Sequence, residues 1–398
     1  MAEQVIKPDL DFVKGVMASG GESLKKCYQC ATCSVVCNVT PDDHPFPRKE
    51  MVWAQWGLKE KFVGNPDVWL CHQCNDCTAY CPRGAQPGEV LGAIRKQGIK
   101  EYAAVSFLSD LVGDKSKVAL LFAIPAILVA LVISMAGNWA PEGDVIFSKF
   151  MPIITIQMLF TPALLFGVVV AFLGVKKFWT DMKQANGVSS GDLKGSIIAA
   201  LTEIVSHKKF QTCDVSKDRY ISHGLVFFSF VALFITTAIG AVYIDVLHME
   251  SPFYLGYGTP VKILGNAGAI AIIAGVVLMM SNRLKNEATL GKGSYFDWML
   301  LSLILTIGLS GLLAELTRVA GIGTMAYPIY FIHLVSVLAL FLYLPYSKLA
   351  HMFYRTAAIS FIKYSGRDSQ SPEVAAAVSA VATGEPAEEE QTKTEQSS

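Results

Sequence analysis

Six long apolar stretches constrain this chain more than any other feature of its sequence. Each stretch is long enough to cross a hydrocarbon layer of roughly 30 Å at about 1.5 Å per residue of α-helix. The composition agrees, since 52% of the residues are hydrophobic and only 17% are charged. We therefore predict a membrane protein with six transmembrane helices, at residues 118–137, 151–175, 221–246, 261–281, 296–320 and 327–349.

The positions of Lys and Arg predict how these helices are oriented. With the N-terminus inside, the outer segments carry only Lys149, Lys262 and Arg318, whereas the inner segments carry most of the remaining basic residues near the spans. This bias places both termini in the cytoplasm and the chain in the cytoplasmic membrane. We expect no signal peptide, because the opening "MAEQVIKPDLDF" lacks a basic stretch followed by an apolar run.

The charge balance and the terminal segments define the remaining organisation. The 33 basic and 33 acidic residues cancel, which argues against a nucleic-acid binder. Residues 365–398 are rich in Ser, Ala, Glu, Thr and Gln, contain no aromatic residue and predict a disordered tail. The predicted domains are a cytoplasmic domain at 1–112, the membrane domain at 113–364 and this tail.

Eight of the nine cysteines belong to two copies of the motif C-x2-C-x2-C-x3-C. The copies are "CYQCATCSVVC" at 27–37 and "CHQCNDCTAYC" at 71–81, the second followed by proline. In bacterial ferredoxins, three thiolates of such a run hold one [4Fe-4S] cluster and the fourth ligates the other cluster. The predicted ligands are Cys27, Cys30, Cys33 and Cys81 for cluster 1, and Cys71, Cys74, Cys77 and Cys37 for cluster 2.

Structural zinc is the alternative for these thiols, but zinc sites favour two separated pairs of ligands. The first motif has Asn38 where proline is usual, which removes no ligand. The helix-like run "PRKEMVWAQWGLKEKF" between the motifs indicates an α-helical ferredoxin domain of the kind that docks against redox partners. Cys213 stands apart from both motifs, and we expect a buried or idle thiol there.

Histidines supply candidate ligands for a second kind of cofactor. Four of the seven lie in or at the ends of apolar spans, where ionisable groups usually have a function. His223 and His248 lie on or at the end of the third span, and His333 and His351 lie on or at the end of the sixth. Their separations are close to whole helical turns, about seven and about five, so each pair is predicted to share one helix face.

Because the third and sixth spans run in opposite directions, His223 and His351 would meet at the inner side and His248 and His333 at the outer side. Paired histidines on facing helices are typical of stacked b-type haems. We predict two such haems, since no C-x-x-C-H run is present for covalent attachment. The alternative for His248, in "VLHMESP", is a histidine exposed to lipid headgroups.

The histidine segments resemble the haem helices of the respiratory nitrate reductase gamma subunit. The stretch "HLVSVLALFLYLPYSKLAH" at 333–351 is similar to that family's fifth helix, and "RYISHGLVFFSF" at 219–230 resembles its helix at the first histidine, here His223. The resemblance implies an all-α fold, with the ferredoxin domain followed by a six-helix bundle of nitrate reductase gamma type. That family's second histidine falls where this chain has Leu233, so His248 or another residue must replace the ligand.

The two halves together resemble a known fusion. The first 110 residues are similar to the C-type subunit of heterodisulfide reductase, and the rest to the E-type membrane subunit of the same enzyme. Such a fusion resembles the C-type membrane subunit of the quinone-interacting membrane-bound oxidoreductases of sulfate-reducing prokaryotes. This resemblance implies two soluble flavin and iron–sulfur partner subunits, and electron exchange between menaquinone and adenylylsulfate reductase.

We therefore expect a quinone-linked oxidoreductase subunit. Quinone chemistry needs a proton acceptor beside a haem, and the candidates are His207, Lys217, Asp218 and Arg219 at the inner end, and Asp245, Glu315 and Arg318 at the outer end. One alternative is an electron-relay anchor of a heterodisulfide reductase-like complex without its own quinone site. A transporter would need several intramembrane carboxylates, and the chain offers few.

Overall fold

The computed structural model describes residues 7–42, 44–188, 191–213, 215, 219–249, 251–252, 258–287 and 291–367. Within these ranges the chain forms α-helices, short 3-10 and π segments, turns and loops, and no strand. The all-α prediction is confirmed. Lys217, Asp218 and most of the predicted tail lie outside the described residues.

The N-terminal domain is built from short helices around the two cysteine motifs. Its helices are α1 (Leu10–Val16), α2 (Thr32–Val35), α3 (Arg48–Gln55), α4 (Asp67–Leu70), α5 (Asp76–Ala79), α6 (Pro87–Tyr102) and α7 (Ser106–Gly113). Helix α6 begins with Pro87, whose fixed φ suits the first turn. Its apolar residues Val90, Leu91 and Ile94 are buried in one core with Leu24 and Met51. Cysteines of both motifs pack against this core.

The remaining helices include six that are long and apolar enough to cross a membrane. They are α8 (Val118–Ala136), α9 (Phe147–Phe150), α10 (Ile153–Asn186), α11 (Leu193–Ser206), α12 (Arg219–Ala241), α13 (Pro260–Lys285), α14 (Tyr295–Val319), α15 (Gly323–Tyr343) and α16 (His351–Tyr364). The six candidate spans are α8, α10, α12, α13, α14 and α15, in some cases with a short 3-10 or π extension. The predicted number of spans is confirmed.

The bundle is assembled by neighbouring helices in chain order. Helix α12 packs on α13, α13 on α14 and α14 on α15, while α8 and α10 pack against α15. Large apolar side chains remain on the outside of the bundle, among them Met158 at 72% exposed and Phe234 at 69%. Exposed apolar faces of this kind are what a helix bundle presents to lipid.

Two of the predicted helices differ from those in the structure. Helix α15 stops at Tyr343, because Pro345 cannot continue it, and α16 starts at His351. Helix α12 passes into a π segment at Val242–Val246 and ends before His248, which has a φ of +52°. The prediction that each histidine pair shares one continuous helix face was therefore wrong for both pairs.

Aromatic residues join the N-terminal domain to one end of the bundle. Trp69 of the N-terminal domain stacks on Tyr354 of α16 with ring centroids 4.9 Å apart. Tyr102, the last residue of α6, packs tilted against the same Tyr354 ring, and Phe178 of α10 packs edge-on against it. Each such pair contributes roughly 0.5–1.5 kcal/mol beyond simple burial, so the two parts share a core and are fixed relative to each other.

Candidate redox centres

The two cysteine motifs fold into nearly identical loops. In each, the second and fourth residues after the first cysteine have positive φ: Gln29 (+60°) and Ala31 (+70°) in the first, and Gln73 (+53°) and Asn75 (+68°) in the second. The left-handed residue two positions after the first cysteine turns its backbone N–H to that cysteine's sulfur. These N···S distances are 3.4 Å for Gln29 to Cys27 and 3.3 Å for Gln73 to Cys71, an arrangement that favours thiolate.

The first group of thiols lies around the predicted cluster 1. Burial raises the pKa of Cys33 to about 12, and the neighbouring thiols of Cys27, Cys30 and Cys81 add to the shift. The pKa of Cys27 is also raised by burial, with Cys81 and Cys30 as its neighbouring thiols. Cys30 is exposed, and a hydrogen bond with the Thr32 hydroxyl lowers its pKa. The chain therefore brings Cys81 to the first three cysteines of the other motif.

The second group lies around the predicted cluster 2. Burial raises the pKa of Cys37 to about 12, and Cys71 and Cys74 are its neighbouring thiols. Burial also raises the pKa of Cys77, and the neighbouring thiols of Cys71, Cys74 and Cys37 add to the shift. Iron ligands must be deprotonated, so metal binding at either group would release protons. Four thiols gathered at each place fit the donor set of a [4Fe-4S] cluster.

Cys213, expected to be a buried or idle thiol, is buried but not isolated. Its sulfur lies with the Cys74 sulfur and an Asp76 oxygen in a group whose atoms are all within 4.8 Å of one another. A hydrogen bond between the two thiols is the main reason that the Cys74 pKa is raised. The backbone N–H of Val215 also donates to Asp76, at 3.0 Å. Sequence spacing gave no signal for this approach, because Cys213 and Cys74 are far apart along the chain and meet only in the tertiary structure.

Three of the four predicted haem histidines have their Nδ1 atom occupied by a protein partner. Nδ1 of His351 lies 2.6 Å from the Lys348 carbonyl, and Nδ1 of His333 lies 3.2 Å from the Ile307 carbonyl. Nδ1 of His223 lies 3.1 Å from His207 Nε2. A carbonyl only accepts, so Nδ1 carries the proton in the first two rings and Nε2 is the nitrogen available to a metal. This is the arrangement that metal-binding histidines adopt, and the residues therefore fit a haem iron.

The two predicted inner ligands come together at the end of the bundle that meets the N-terminal domain. His351 is among the ionisable groups close enough to His223 to interact with it electrostatically, together with Arg219 and His207. His351 is the first residue of α16, and burial lowers its pKa to about 4. The neutral imidazole that this favours is the form that binds iron.

Two arginines tie these histidines to the cluster 2 loop. Arg355, one turn after His351, donates from Nη1 to the carbonyls of residues 69, 70 and 71 at 3.2, 3.2 and 3.0 Å, and from Nη2 to His72 Nε2 at 2.7 Å. Arg219, one turn before His223, donates to the carbonyls of residues 72 and 73. Burial lowers the pKa of Arg355 to about 10, which leaves it charged near neutral pH. No spacing pattern in the sequence predicts this role of Arg355.

The predicted outer ligands are not equally well placed. The His333 ring packs between α15 and α14, where the Ser310 hydroxyl also lies 3.1 Å from its Nδ1. A Cβ atom at Gly311 would approach His333 Cε1 to 3.0 Å, so this glycine makes room for the ring. His248 is exposed and lies beyond the helix that carries His223. The described residues bring His248 into no contact with His333, and its role as a ligand stays a prediction.

The predicted quinone-site residues have protein partners where they are described. Arg219 binds the cluster 2 loop, and His207 is buried against His223. At the other end of the bundle, Glu315 forms ion pairs with Lys262 and Arg318, and the Asp245 carboxylate accepts a hydrogen bond from Gln157 at 2.7 Å. These contacts are all with other protein groups, so they identify no quinone-binding residue.

Similarity to known proteins shows which family the chain belongs to. A sequence model described as citrate utilization protein B matches residues 108–373, about two thirds of the chain. The chain belongs to the citrate utilization protein B family. The citrate utilization protein B of Escherichia coli is 26% identical over 357 residues, which cover 84% of this chain and 89% of that protein. This family relationship therefore extends into the cysteine-bearing N-terminal domain.

The N-terminal domain has further relatives. A 4Fe-4S dicluster domain model matches residues 23–85, which contain all eight motif cysteines. A protein of Archaeoglobus profundus, described as like the C-type subunit of heterodisulfide reductase, is 35% identical over 85 residues, covering 21% of this chain and 45% of that protein. The C-type subunit of the H(2):CoB-CoM heterodisulfide,ferredoxin reductase of Methanothermobacter marburgensis is 33% identical over 95 residues, covering 23% and 50%.

The chain spans about half the length of these reductase subunits. No solved structure matches it. The dicluster match identifies the two thiol groups as part of an iron–sulfur domain, and in this chain that domain precedes the region matched by the citrate utilization protein B model. The described chain therefore combines an iron–sulfur dicluster domain with six helices that are long and apolar enough to cross a membrane.

Proposed function

We propose that the chain is the membrane subunit of a respiratory complex that exchanges electrons between menaquinone and soluble flavin and iron–sulfur subunits. Two haem b and two [4Fe-4S] clusters supply one-electron chemistry when bound. The observation that carries the proposal is the pair of arginines, Arg219 and Arg355, that connects the predicted inner haem histidines to the cluster 2 loop. A relay needs its centres held close together, and these contacts do that.

The chain's residues have three separate tasks in this proposal. His223 and His351 present Nε2 to the inner haem, and His333 does so for the outer one. The eight motif thiols would hold the clusters, with Cys33 and Cys77 buried and Cys30 exposed at the surface. Arg219 and Arg355 donate hydrogen bonds to backbone carbonyls of the cluster 2 loop and so hold that loop next to the helices that carry the inner histidines.

The surface around cluster 1 supports an exit toward soluble partners. Cys30 is exposed, and three large side chains near the cluster ligands are exposed with it: Tyr28 at 67%, Val35 at 83% and Tyr80 at 52%. Arg83 lies 3.9 Å from the centre of the Tyr28 ring. Aromatic residues and Arg are enriched in protein interfaces, so the proposed flavin and iron–sulfur subunits would dock here.

The lipid membrane and its sidedness are also part of the proposal. The bias of Lys and Arg supports a cytoplasmic membrane with both termini inside. The N-terminal domain would then face the cytoplasm, where soluble partners are available. Quinone binding near the inner histidines remains in the proposal without an assigned residue.

The electron acceptor distinguishes two versions of this function. The resemblance to the membrane subunit of quinone-interacting membrane-bound oxidoreductases supports adenylylsulfate reductase and sulfate respiration. The family match favours a second candidate, an electron-transfer subunit that acts in citrate utilization, the process in its relatives' name. An electron-relay anchor without a quinone site is the further alternative.

Cofactor analysis of the purified full chain tests the proposal. We expect two haems, eight iron atoms in clusters and eight acid-labile sulfides per chain, with a Soret band and paramagnetic signals after reduction. A quinone analogue should shift the haem spectrum if the chain binds quinone, and should leave it unchanged in a relay anchor. A colourless protein would refute the proposal, and partners that co-purify with the complex would separate the sulfate and citrate versions.

A further inference from the structure

His207 is a buried histidine outside the predicted set of haem ligands, and its surroundings assign it a role. It ends helix α11 and is only 4% exposed. Its φ of +52° lies in the left-handed region, which a residue with a side chain rarely adopts and where Gly is the usual residue at a helix end. A buried histidine kept in this conformation indicates that its imidazole is needed at this place.

Hydrogen bonds determine which nitrogen of each ring carries the proton. His207 Nδ1 lies 3.2 Å from the Val205 carbonyl, which can only accept, so Nδ1 is the protonated nitrogen. His207 Nε2 therefore carries a lone pair, and it lies 3.1 Å from His223 Nδ1. The Nδ1–H group of His223 must therefore be the donor of the hydrogen bond to His207 Nε2. The Nε2 atom of His223 is then left with its lone pair directed to a ligand.

Aromatic rings hold both imidazoles in place. Phe210 stacks on His223 with centroids 4.9 Å apart and an angle of 28°, and on His207 at 5.5 Å and 20°. Phe227 packs against the other side of His207 at 5.0 Å. The His207 ring therefore cannot swing away from His223 without losing these contacts.

A role in quinone chemistry, the sequence-based expectation for His207, fits this geometry less well. Both of its ring nitrogens are already engaged, Nδ1 as a donor to Val205 and Nε2 as an acceptor from His223. Taking a proton from a quinol would break the bond to His223. The ring is also enclosed by Phe210 and Phe227 rather than facing an opening.

We propose that His207 is a positioning residue for His223. By accepting a hydrogen bond from His223 Nδ1–H, His207 fixes the orientation of the His223 ring. The same hydrogen bond increases the electron donation of His223 Nε2 to the inner haem iron. This inference rests on the proposed function, since it requires a haem at His223. Removing a partner of this kind from a metal-binding histidine typically weakens metal binding about 10–100-fold.

The test compares three variants of the full chain purified in detergent. His207→Phe keeps a ring but removes the acceptor, His207→Gln restores an acceptor through its amide oxygen, and His44→Phe makes the same change at an exposed loop. The measurements are haem transfer to an apo-haem acceptor protein, the inner haem's reduction potential and its low-spin ferric EPR signal. Cluster content serves as the check that each variant is folded.

We expect His207→Phe to release the inner haem about 10–100-fold more readily and to raise its potential, because the ferric state loses electron donation. His207→Gln should recover most of both properties, and His44→Phe should match the wild type. The inference is wrong if His207→Phe keeps the wild-type affinity, potential and EPR signal, or if His207→Gln behaves like His207→Phe. A wild-type protein that contains no haem would instead refute the proposed function itself.

Discussion

A buried carboxyl group in the N-terminal domain is expected to make the unfolding free energy of that domain depend on pH. Glu50 lies on α3 and is 0% exposed, and within the described part of the chain neither of its carboxylate oxygens has a hydrogen-bond partner. Burial raises its pKa to about 8, against an ordinary value of 4.5. Lys49, at 3.8 Å, opposes the shift, whereas the carboxylate of Asp67 adds to it.

The sign of the effect follows from the two pKa values. Between pH 4.5 and 8 the folded protein keeps a proton on Glu50 that the unfolded chain has released. The stabilising effect of this proton is full below pH 4.5 and is lost progressively up to pH 8. At about 1.4 kcal/mol per pKa unit, the loss amounts to roughly 5 kcal/mol of unfolding free energy, of which roughly 2 kcal/mol is lost by pH 6.

Glu50→Gln removes this titration and keeps the shape of the side chain. The expected result is a melting temperature of the cluster domain that matches wild type at pH 5 and exceeds it increasingly toward pH 8. Loss of visible cluster absorbance on heating measures this transition in the full chain. Glu22→Gln, at an exposed carboxylate, is the matched control. Melting curves of Glu50→Gln and wild type that stay parallel from pH 5 to 8 would refute the assignment of a buried, protonated Glu50.

Three further predictions test the predicted haem and cluster contacts. Arg355→Lys loses the multiple carbonyl contacts of the guanidinium, so hydrogen exchange of the cluster 2 loop should rise roughly 30-fold, for a loss of ~2 kcal/mol; an unchanged rate would contradict this. Gly311→Ala places a methyl group against the His333 ring, so the outer haem should dissociate about tenfold faster in a haem-transfer assay. His248→Ala should reduce the haem content from two to one, and retention of both would remove His248 from the ligands.

The features that sequence could predict are those set by spacing along the chain. Six apolar stretches were long enough to predict six spans, and the structure has six such helices. The two cysteine motifs predicted a dicluster domain because their spacing is tied to iron–sulfur ligation. The end of α15 also had a visible signal in Pro345, since a helix usually stops before proline.

Other features depend on tertiary structure and left no such signal. Gln29, Ala31 and Gln73 have left-handed conformations that their residue types do not favour, and the surrounding loop must impose them. The approach of Cys213 to Cys74 and of His207 to His223 depends on the tertiary positions of His207 and Cys213 between α11 and α12. Neither approach can be deduced from sequence separation.

The arrangement of the arginines links the two halves of the site by helix geometry. Residues four apart lie on one face of a helix, so the face of α12 that carries His223 also carries Arg219. The same holds for His351 and Arg355 on α16. All the backbone carbonyls that the two arginines contact lie in residues 69–73, within and just before the cluster 2 loop.

The pair of helices that presents the inner histidines thus also holds the cluster 2 loop, so a displacement of either helix would move both predicted centres together. The predicted cluster 2 is accordingly the one next to the inner histidines, and the proposed docking of soluble partners falls to the predicted cluster 1, with its exposed Cys30.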